Sequence, residues 1–411
     1  MQIRFTDEQE RIIQHAIHWF KYSSEQTFEL LGEAGTGKSL VIYEIIRRLG
    51  LKQDQYLPMA YTGQAAIVMR LKGFPHARSI HSWLYEFQEI EKQYNNQIIM
   101  NHQFNVPETN MVFGLAKPNK IAPQVSLFVI DEGYLVSKPM RKDIESFGRK
   151  ILVGGDTGQL PPVAGEPAYF GGYGVHRLTQ VMRQAEGNPI VFLAHRARNG
   201  LPIHCGLYGN NVLVIEDKDL TNDMLSSLDT IICGTNATRE FMNKYIRENI
   251  KGIYATMPIF GDRVICRNNN WFITRDNISL ANGLVGTVVN MPDLSSFTGD
   301  ALNIDFIPDL ANTVFDQIPI DYKYLLAPYA ERMEMKNRGY KMGEKFEYAY
   351  ALTAYLAQGA EYQKGIYVEE FLRPQIQNQL NYTGITRFRE ALLYVKKSKN
   401  FQVLVTSQSK M

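Results

Sequence analysis

Gly32-Glu33-Ala34-Gly35-Thr36-Gly37-Lys38-Ser39 fits the pattern G-x-x-x-x-G-K-[ST] of a Walker A phosphate loop. Its flanks agree with that reading. The apolar run Thr27 to Leu31 predicts a strand entering the loop. Leu40 to Leu49 predicts a helix leaving it, with Gly50 as C-cap. Glycines let the backbone curl so that successive N–H groups point at a phosphate, and a helix N-terminus adds its positive dipole end. Lys38 can reach the β- and γ-phosphates of a nucleotide, and the Ser39 hydroxyl can sit on Mg²⁺. ATP and Mg²⁺ are therefore the expected cofactors, with Gly32, Glu33, Ala34, Gly35, Thr36, Gly37, Lys38 and Ser39 as the cradle.

Outward from the loop, the same chemistry acquires partners. Thr6 and Gln9 have capping-box spacing ahead of a helix with Ile12, Ile13, Ala16, Ile17 and Phe20 on one face. Gln9 reads equally as that cap or as an amide that contacts an adenine edge. Gln55 to Ala60 predicts a second strand; strands separated by a helix imply a parallel sheet. Val125 to Ile130 is a continuous apolar strand ending in Asp131-Glu132, where a buried parallel strand delivers side chains to the ligand edge. Asp131 would hold Mg²⁺, and Glu132 would orient and deprotonate an attacking water. Lys150 to Gly155 predicts another strand, followed by Asp156-Thr157-Gly158-Gln159-Leu160-Pro161-Pro162, in which Gln159 can sense a γ-phosphate. Leu178-Thr179-Gln180-Val181-Met182-Arg183 follows.

Thr230 to Gly234 and the helix beyond it read as part of a second α/β domain. From Gly261 to about Lys345 the character becomes β-rich, with Arg263 to Cys266 and Gly286 to Val289 as strands and Asn282-Gly283 as a turn signal. A helical pattern around Leu352 to Leu356 and a strand at Leu392 to Val395 return the chain to the second domain. At 411 residues the chain exceeds one core. A net charge of +2 announces no global polyanion partner, so any basic groove must be local. Three cysteines without C-x-x-C pairing argue against a zinc ribbon and fit a reducing compartment. The opening MQIRFTDEQE is no signal peptide, and no apolar run reaches the length of a membrane span. A cytoplasmic enzyme without a membrane partner is expected.

Two later stretches narrow the class. Ala351-Leu352-Thr353-Ala354-Tyr355-Leu356-Ala357-Gln358-Gly359-Ala360-Glu361 resembles motif V of superfamily 1 helicases. Tyr382-Thr383-Gly384-Ile385-Thr386-Arg387 resembles motif VI. From Phe5 to about Val395 the chain resembles the RecD and Dda-type 5′→3′ DNA helicases of superfamily 1B, of phage or bacterial kind. Three departures stand out: Gly133-Tyr134 after the acids where Ala-Ser is usual, Tyr355-Leu356 where His-Lys is usual, and Gly384 in place of Ala.

The resemblance implies an α/β fold of two RecA-like P-loop domains with parallel sheets. The first would span 1–176 with an insertion at 86–122. The second would span 177–260 and 346–411, with a β-rich, SH3-like insertion at 261–345. It implies that Gln9 contacts adenine, that Gln159 couples phosphate state to the second domain, and that Arg183 and Arg387 are arginine fingers. Gly359 and Glu361 would lie near the nucleotide, Glu361 on the ribose. Single-stranded DNA would touch Tyr61, Thr62 and His81 on the first domain and Thr235, Asn236 and Thr353 on the second. Trp83 and Tyr355 are candidates for stacking on bases, although the core is the commoner place for a Trp. Gln97-Ile98-Ile99-Met100 and Gln103-Phe104-Asn105-Val106 flank Asn101-His102 like a two-residue hairpin. Its Phe104 or Met100 could meet a fork, or Phe104 could pack the hairpin onto its own domain.

The implied activity is ATP-dependent translocation on single-stranded DNA and unwinding of duplex or forked DNA by a monomer. Single-strand-binding or replisome proteins would be further partners, in DNA replication, repair or recombination. An RNA-directed helicase of the same superfamily, or a DNA-dependent ATPase switch or loader without unwinding, are the alternatives.

Overall fold

A computed structural model of the chain describes residues 4–91, 93–94, 97–98, 100–101, 106–107, 109–162, 165–172, 174–182, 187–227, 229–290, 300–337 and 343–398, with side chains outside 87–113 and 336–337. Its first sheet has six parallel strands in the order His176–Leu178, Thr27–Gly32, Lys150–Gly155, Leu127–Asp131, Tyr56–Ala60 and Arg78–Ser79. Strand residues alternate between two apolar layers. Leu30, Val129 and Leu152 face the helices Asp7–Tyr22 and Lys38–Leu49. Leu31, Phe128, Ile130, Ile151 and Val153 fill the other face. Burial on both faces is why these strands read as unbroken apolar runs. The loop-bearing strand Thr27–Gly32 lies inside the sheet, paired on both sides, so its C-terminal end is fixed.

The second sheet runs Gly206–Tyr208, Val212–Glu216, Phe388–Lys396, Tyr362–Glu369, Thr230–Cys233 and Ala351–Thr353. It is parallel except for the antiparallel edge pair at Gly206–Tyr208. The segment Leu352 to Leu356 is not helical. Ala351–Thr353 is a buried strand and the chain then turns through Gly359, whose φ is +77°. Small and apolar residues at that spacing fit a strand end packed in a core as well as a helix face. His176–Leu178 pairs with the loop-bearing strand, so Arg177 and Leu178 continue the first sheet beyond residue 176.

Between these sheets in sequence sits a β-rich insertion. Five antiparallel strands follow the order Phe315–Asp321, Ala301–Pro308, Val285–Val288, Arg263–Cys266 and Phe346–Tyr348. Phe346 is buried in its core, so the insertion extends past residue 345 to Tyr348. On the first domain, Tyr85–Glu91 and Thr109–Leu115 form an antiparallel pair, and further out Met100–Asn101 pairs with Val106–Pro107. Of the tip expected at Asn101-His102, Asn101 is paired with Val106 and His102 lies outside the described residues. Phe104 lies outside the described residues.

Buried charge fastens the β-rich insertion to the second domain. Asp262, where the chain enters, accepts from Arg247 Nε (2.9 Å) and Nη2 (3.0 Å) and from the Tyr350 hydroxyl (2.6 Å), where the chain leaves. Glu347 is ringed by Arg239, Arg267 and Arg332, with the Tyr324 hydroxyl donating at 3.2 Å. Burial raises the pKa of this carboxyl, but the three guanidiniums outweigh burial and bring it down to about 2. Its contribution to stability is therefore present above the ordinary value of 4.5 and is lost as pH falls toward about 2. Glu347→Ala leaves the guanidiniums buried without their carboxylate and should cost about 3–5 kcal/mol in denaturant unfolding. Glu347→Gln should flatten the stability loss between pH 4.5 and about 2; an acid limb as steep as that of the parent would contradict the assignment.

Candidate active site

The strand Thr27–Gly32 ends at the first loop glycine and the helix Lys38–Leu49 begins at its lysine. Gly35 and Gly37 have φ of +83° and +77°, the left-handed backbone that glycine adopts without penalty. A Cβ on Gly37 would stand 2.9 Å from Gln9 Nε2. The Thr36 hydroxyl donates back to Glu33 O at 2.8 Å and closes the curl. Gly50 caps the helix with φ +69° and a bond from its N–H to Arg47 O.

Two further strand ends bring Asp131, Glu132 and Gln159 to this loop. Asp131 ends Leu127–Asp131, and its Oδ1 accepts from the Glu132 N–H at 3.0 Å. Glu132 has φ +56°, a strained setting for a non-glycine residue, and such strain concentrates at functional sites. Gly133 explains one departure from the family pattern. A Cβ there would come within 2.2 Å of Val153 Cγ1, so the alanine usual after the acids does not fit. Beyond Lys150–Gly155, buried Asp156 accepts from the Gly158 N–H at 2.9 Å and shapes the turn that presents Gln159.

The second domain closes the site. Gly32, Glu33, Ala34, Gly35, Gly37, Lys38, Ser39, Asp131, Glu132 and Gln159 line one cavity of about 490 Å³ together with Gly359, Glu361 and Arg387. That volume is within the range of small-molecule sites. Arg387 is buried, its guanidinium held by Thr383 O (3.1 Å), Ala360 O (3.3 Å) and Thr386 Oγ1 (3.2 Å). Glu361 pairs with Lys72 of the first domain (2.7 Å) and with Arg389; these cations outweigh burial and hold its carboxyl below the usual range. Gly359 leaves no room for a side chain, since a Cβ would meet Ala65 Cβ at 2.6 Å.

The remaining seam is polar. The Ala34 N–H donates to the Tyr382 hydroxyl (2.8 Å), which donates to Asp156 Oδ2 (2.6 Å). Arg198 bonds Asp156 Oδ1 and Glu33 Oε1, both at 3.1 Å, and His195 Nδ1 meets Glu33 Oε2 at 3.1 Å. The hydrogen bond to Glu33 lifts the His195 imidazole above its ordinary pKa, and the same bond lowers the Glu33 carboxyl. Lys72, His195 and Arg198 carry no local signal in the sequence. Tyr382 lies within the motif VI stretch but has no role legible there.

Other expected site residues are placed as follows. Gln9 is buried and completes the capping box, its Oε1 accepting from the Thr6 N–H at 3.0 Å while Nε2 donates to Thr36 O at 3.0 Å and to Met182 Sδ. Its amide thus braces the phosphate loop from behind. Thr36 is buried as well. Arg183 lies outside the described residues. Thr62 caps Gly63–Leu71 and Thr235 caps Asn236–Tyr245, with Asn236 half-buried at that helix start. Thr353 Oγ1 accepts from the Leu356 N–H at 3.3 Å. Tyr61, His81 and Tyr355 are half-buried. Trp83 is packed against the first-domain core, its Nε1 donating to Pro58 O at 3.2 Å under the Arg78 guanidinium.

Two parallel sheets meeting across one nucleotide-sized cavity are the architecture of a P-loop protein with paired RecA-like domains. The chain belongs to an AAA domain family, whose profile matches residues 4–216. Its fold is similar to that of the Pif1 helicase from Candida albicans, at 15% identity and a TM-score of 0.52, covering 98% of this chain and 96% of that one. A Pif1 helicase from Bacteroides in complex with ADP-AlF3 and single-stranded DNA is similar at 16% identity and a TM-score of 0.54, covering 96% and 92%. Bacteroides Pif1 bound to single-stranded DNA is similar at 16% identity and a TM-score of 0.53, covering 98% and 94%.

The Glu33–His195 pair makes the seam sensitive to pH. Because the folded pKa of His195 is raised, its stabilisation is full below the ordinary value of 6.5 and fades as pH rises through the raised value. His195→Gln should lower the melting temperature at pH 6 and converge on the parent by about pH 9, above the range in which a histidine titrates. A gap that stays constant across that range would mean the imidazole acts only by shape.

Proposed function

We propose that the chain is an ATP-driven DNA helicase that moves 5′→3′ on single-stranded DNA and parts duplex at a fork. The observation that carries this reading is the convergence of Lys38, Glu132 and Gln159 from one domain with Arg387 from the other on a single cavity. A static nucleotide switch has less need of a catalytic arginine from the far side of a cleft. In similar folds, the Bacteroides Pif1 protein is bound to single-stranded DNA and to ADP-AlF3, which supports both ligands here.

The residues suit Mg-ATP. Ser39 and Asp131 offer hard oxygen donors on adjoining walls of the cavity, as Mg²⁺ requires. Mg²⁺, when bound, neutralises charge on the β- and γ-phosphates. Lys38 and the loop N–H groups hold those phosphates, and Glu132 orients and deprotonates the attacking water. Arg387 neutralises charge that spreads over the γ-phosphoryl oxygens as the cleft closes, a contribution of about 10³–10⁵ in rate in GTPases. We assign Arg183 the part of a second finger. Gln159 reports phosphate state through its neighbour Leu160, whose N–H donates to Thr383 Oγ1 at 2.9 Å and whose carbonyl accepts from Gln358 Nε2 at 2.7 Å. Tyr61, Thr62, His81, Thr235, Asn236 and Thr353 would form the DNA track, holding phosphates through hydroxyls, amides and backbone N–H groups without reading bases. The antiparallel pair Tyr85–Glu91 with Thr109–Leu115 would stand at the fork as the wedge.

ATP hydrolysis should rise many-fold with single-stranded DNA, and a labelled fork should be unwound. Lys38→Ala should abolish turnover. Glu132→Gln should retain ATP binding while blocking hydrolysis, and Arg387→Ala should lose turnover more than ATP affinity. An ATPase that ignores single-stranded DNA, with Arg387→Ala at the parental rate, would exclude a two-domain motor.

A further inference from the structure

Trp271 lies on a hairpin of the β-rich insertion, Asn270–Arg275 paired with Ile278–Leu280. The two tip residues, Asp276 and Asn277, both have left-handed backbone with φ of 48° and 59°, as a two-residue hairpin turn requires. The first domain holds that tip. Arg70 Nη1 donates to Asp276 O at 3.1 Å and Nη2 to Asn277 O at 2.7 Å, while Arg78 Nη2 donates to Asn277 Oδ1 at 2.7 Å. Arg70 is fixed from its own side by a bond from Nε to Ala77 O at 2.8 Å. The contact continues as packing: Ile67 of the first domain is buried in the core of the insertion, and a Cβ on Gly63 would come within 3.0 Å of Ala281 Cβ.

This clasp sets the position of Trp271 relative to the first domain. Its ring stands 6.1 Å from that of His81, the planes within 17° of parallel. His81 lies in the short helix Ile80–Leu84, capped by Ser79, whose backbone pairs with the strand leading to Tyr61 and Thr62. Burial lowers the His81 pKa, so at neutral pH the ring is uncharged and presents an aromatic face rather than a cation.

We propose that Trp271 is a base-stacking residue, and that the indole of the insertion and the imidazole of His81 form a two-sided slot for one nucleobase of a single strand. The proposal rests on the single-stranded DNA reading above and adds a site on a domain to which that reading gives no DNA contact. A base between two rings makes two stacking contacts of roughly 3.5 Å each, so the planes must stand about 7 Å apart. The rings already lie nearly parallel, and with centroids 6.1 Å apart their planes are closer than that spacing, so a base enters only as the insertion moves away from the first domain. That movement exchanges the exposed hydrogen bonds at the hairpin tip for bonds to water, at little net cost. Every base has an aromatic face, so the slot tolerates all four. Because its walls belong to two domains, it grips the strand when the first domain and the insertion approach and releases it when they part.

The test measures binding of oligo-dT to the full chain as wild type, Trp271→Phe and Trp271→Ala, with one abasic site walked along the oligonucleotide. Trp271→Ala should bind intact oligo-dT about tenfold more weakly, within the usual worth of base–aromatic stacking, and Trp271→Phe should recover most of the loss. One abasic position should cost the wild type about tenfold and cost Trp271→Ala nothing further. A purely structural Trp271 would weaken binding to every oligonucleotide equally and leave the abasic penalty intact in Trp271→Ala, which overturns the slot, as does wild-type affinity in that variant. A wild type that binds no single-stranded DNA would instead defeat the reading on which the slot rests.

Discussion

Leu160 belongs to the first domain by sequence and to the second by packing. It is fully buried among Leu193, Ala194, Leu352, Tyr382 and Ile385, in a core otherwise built almost wholly from the second domain. Its N–H and carbonyl are both taken by that domain, through Thr383 and Gln358. Burying a leucine is worth about 1.5–3 kcal/mol. The turn that presents it also carries Asp156 and Gln159, so the plug and a side chain that lines the cavity move as one piece. Asp156 in turn holds Tyr382 and Arg198, and these reach Ala34 and Glu33 in the phosphate loop. The loop is thus gripped from the far side of the cleft by groups that all hang on one turn.

The β-rich insertion is secured in two different ways. Toward the second domain, the buried ions Asp262 and Glu347 tie the entering and leaving chain to Arg247, Arg239 and Tyr350. Buried ion pairs add little net stability, but breaking one is costly, so that attachment is stiff. Toward the first domain, the insertion is held by hydrogen bonds from Arg70 and Arg78 to an exposed hairpin tip and by a small apolar contact around Ile67. Bonds of that kind exchange with water at about 0.5–1.5 kcal/mol each. The insertion therefore rides with the second domain and can part from the first.

What the sequence made legible follows from what is local. The phosphate loop, the acids at a strand end and the Gln159 turn each depend on a few consecutive residues, and their strands read as apolar runs because both sheet faces are covered. Arg387 was legible through its resemblance to a motif. Lys72, His195 and Arg198 act only through partners hundreds of residues away or in another domain, and nothing in their own neighbourhood distinguishes them from solvated charge. Leu160 sits in a Pro-stiffened loop that resembles any surface turn until the second domain is laid on it. The Leu352 to Leu356 stretch misleads for a related reason: tertiary burial, not helical periodicity, spaces its apolar residues. Gly133 shows the reverse case, where an unexpected residue is explained only by the position of Val153 behind it.

A cleft that opens and closes in each cycle, as the proposed activity requires, cannot be sealed by a large apolar interface. Among the described residues, the cross-cleft contacts combine buried groups, Leu160 with its two hydrogen bonds and the Tyr382–Asp156 bond, with partly exposed ion pairs that water can replace. Glu33, His195 and Lys72 are partly exposed, and pairs of that kind are worth about 0–1 kcal/mol. The exposed part of the seam therefore adds little to closure. A bound ligand shifts an equilibrium between open and closed states only by its differential affinity for the two. Moving a two-state cleft from mostly open to mostly closed takes about 5.5 kcal/mol. In the reading proposed above, Arg387 and Lys38 would both contact one triphosphate only in the closed state, and that difference would supply the shift. On that reading, the weakness of the exposed ion pairs and the concentration of cations around one cavity would be two halves of the same device.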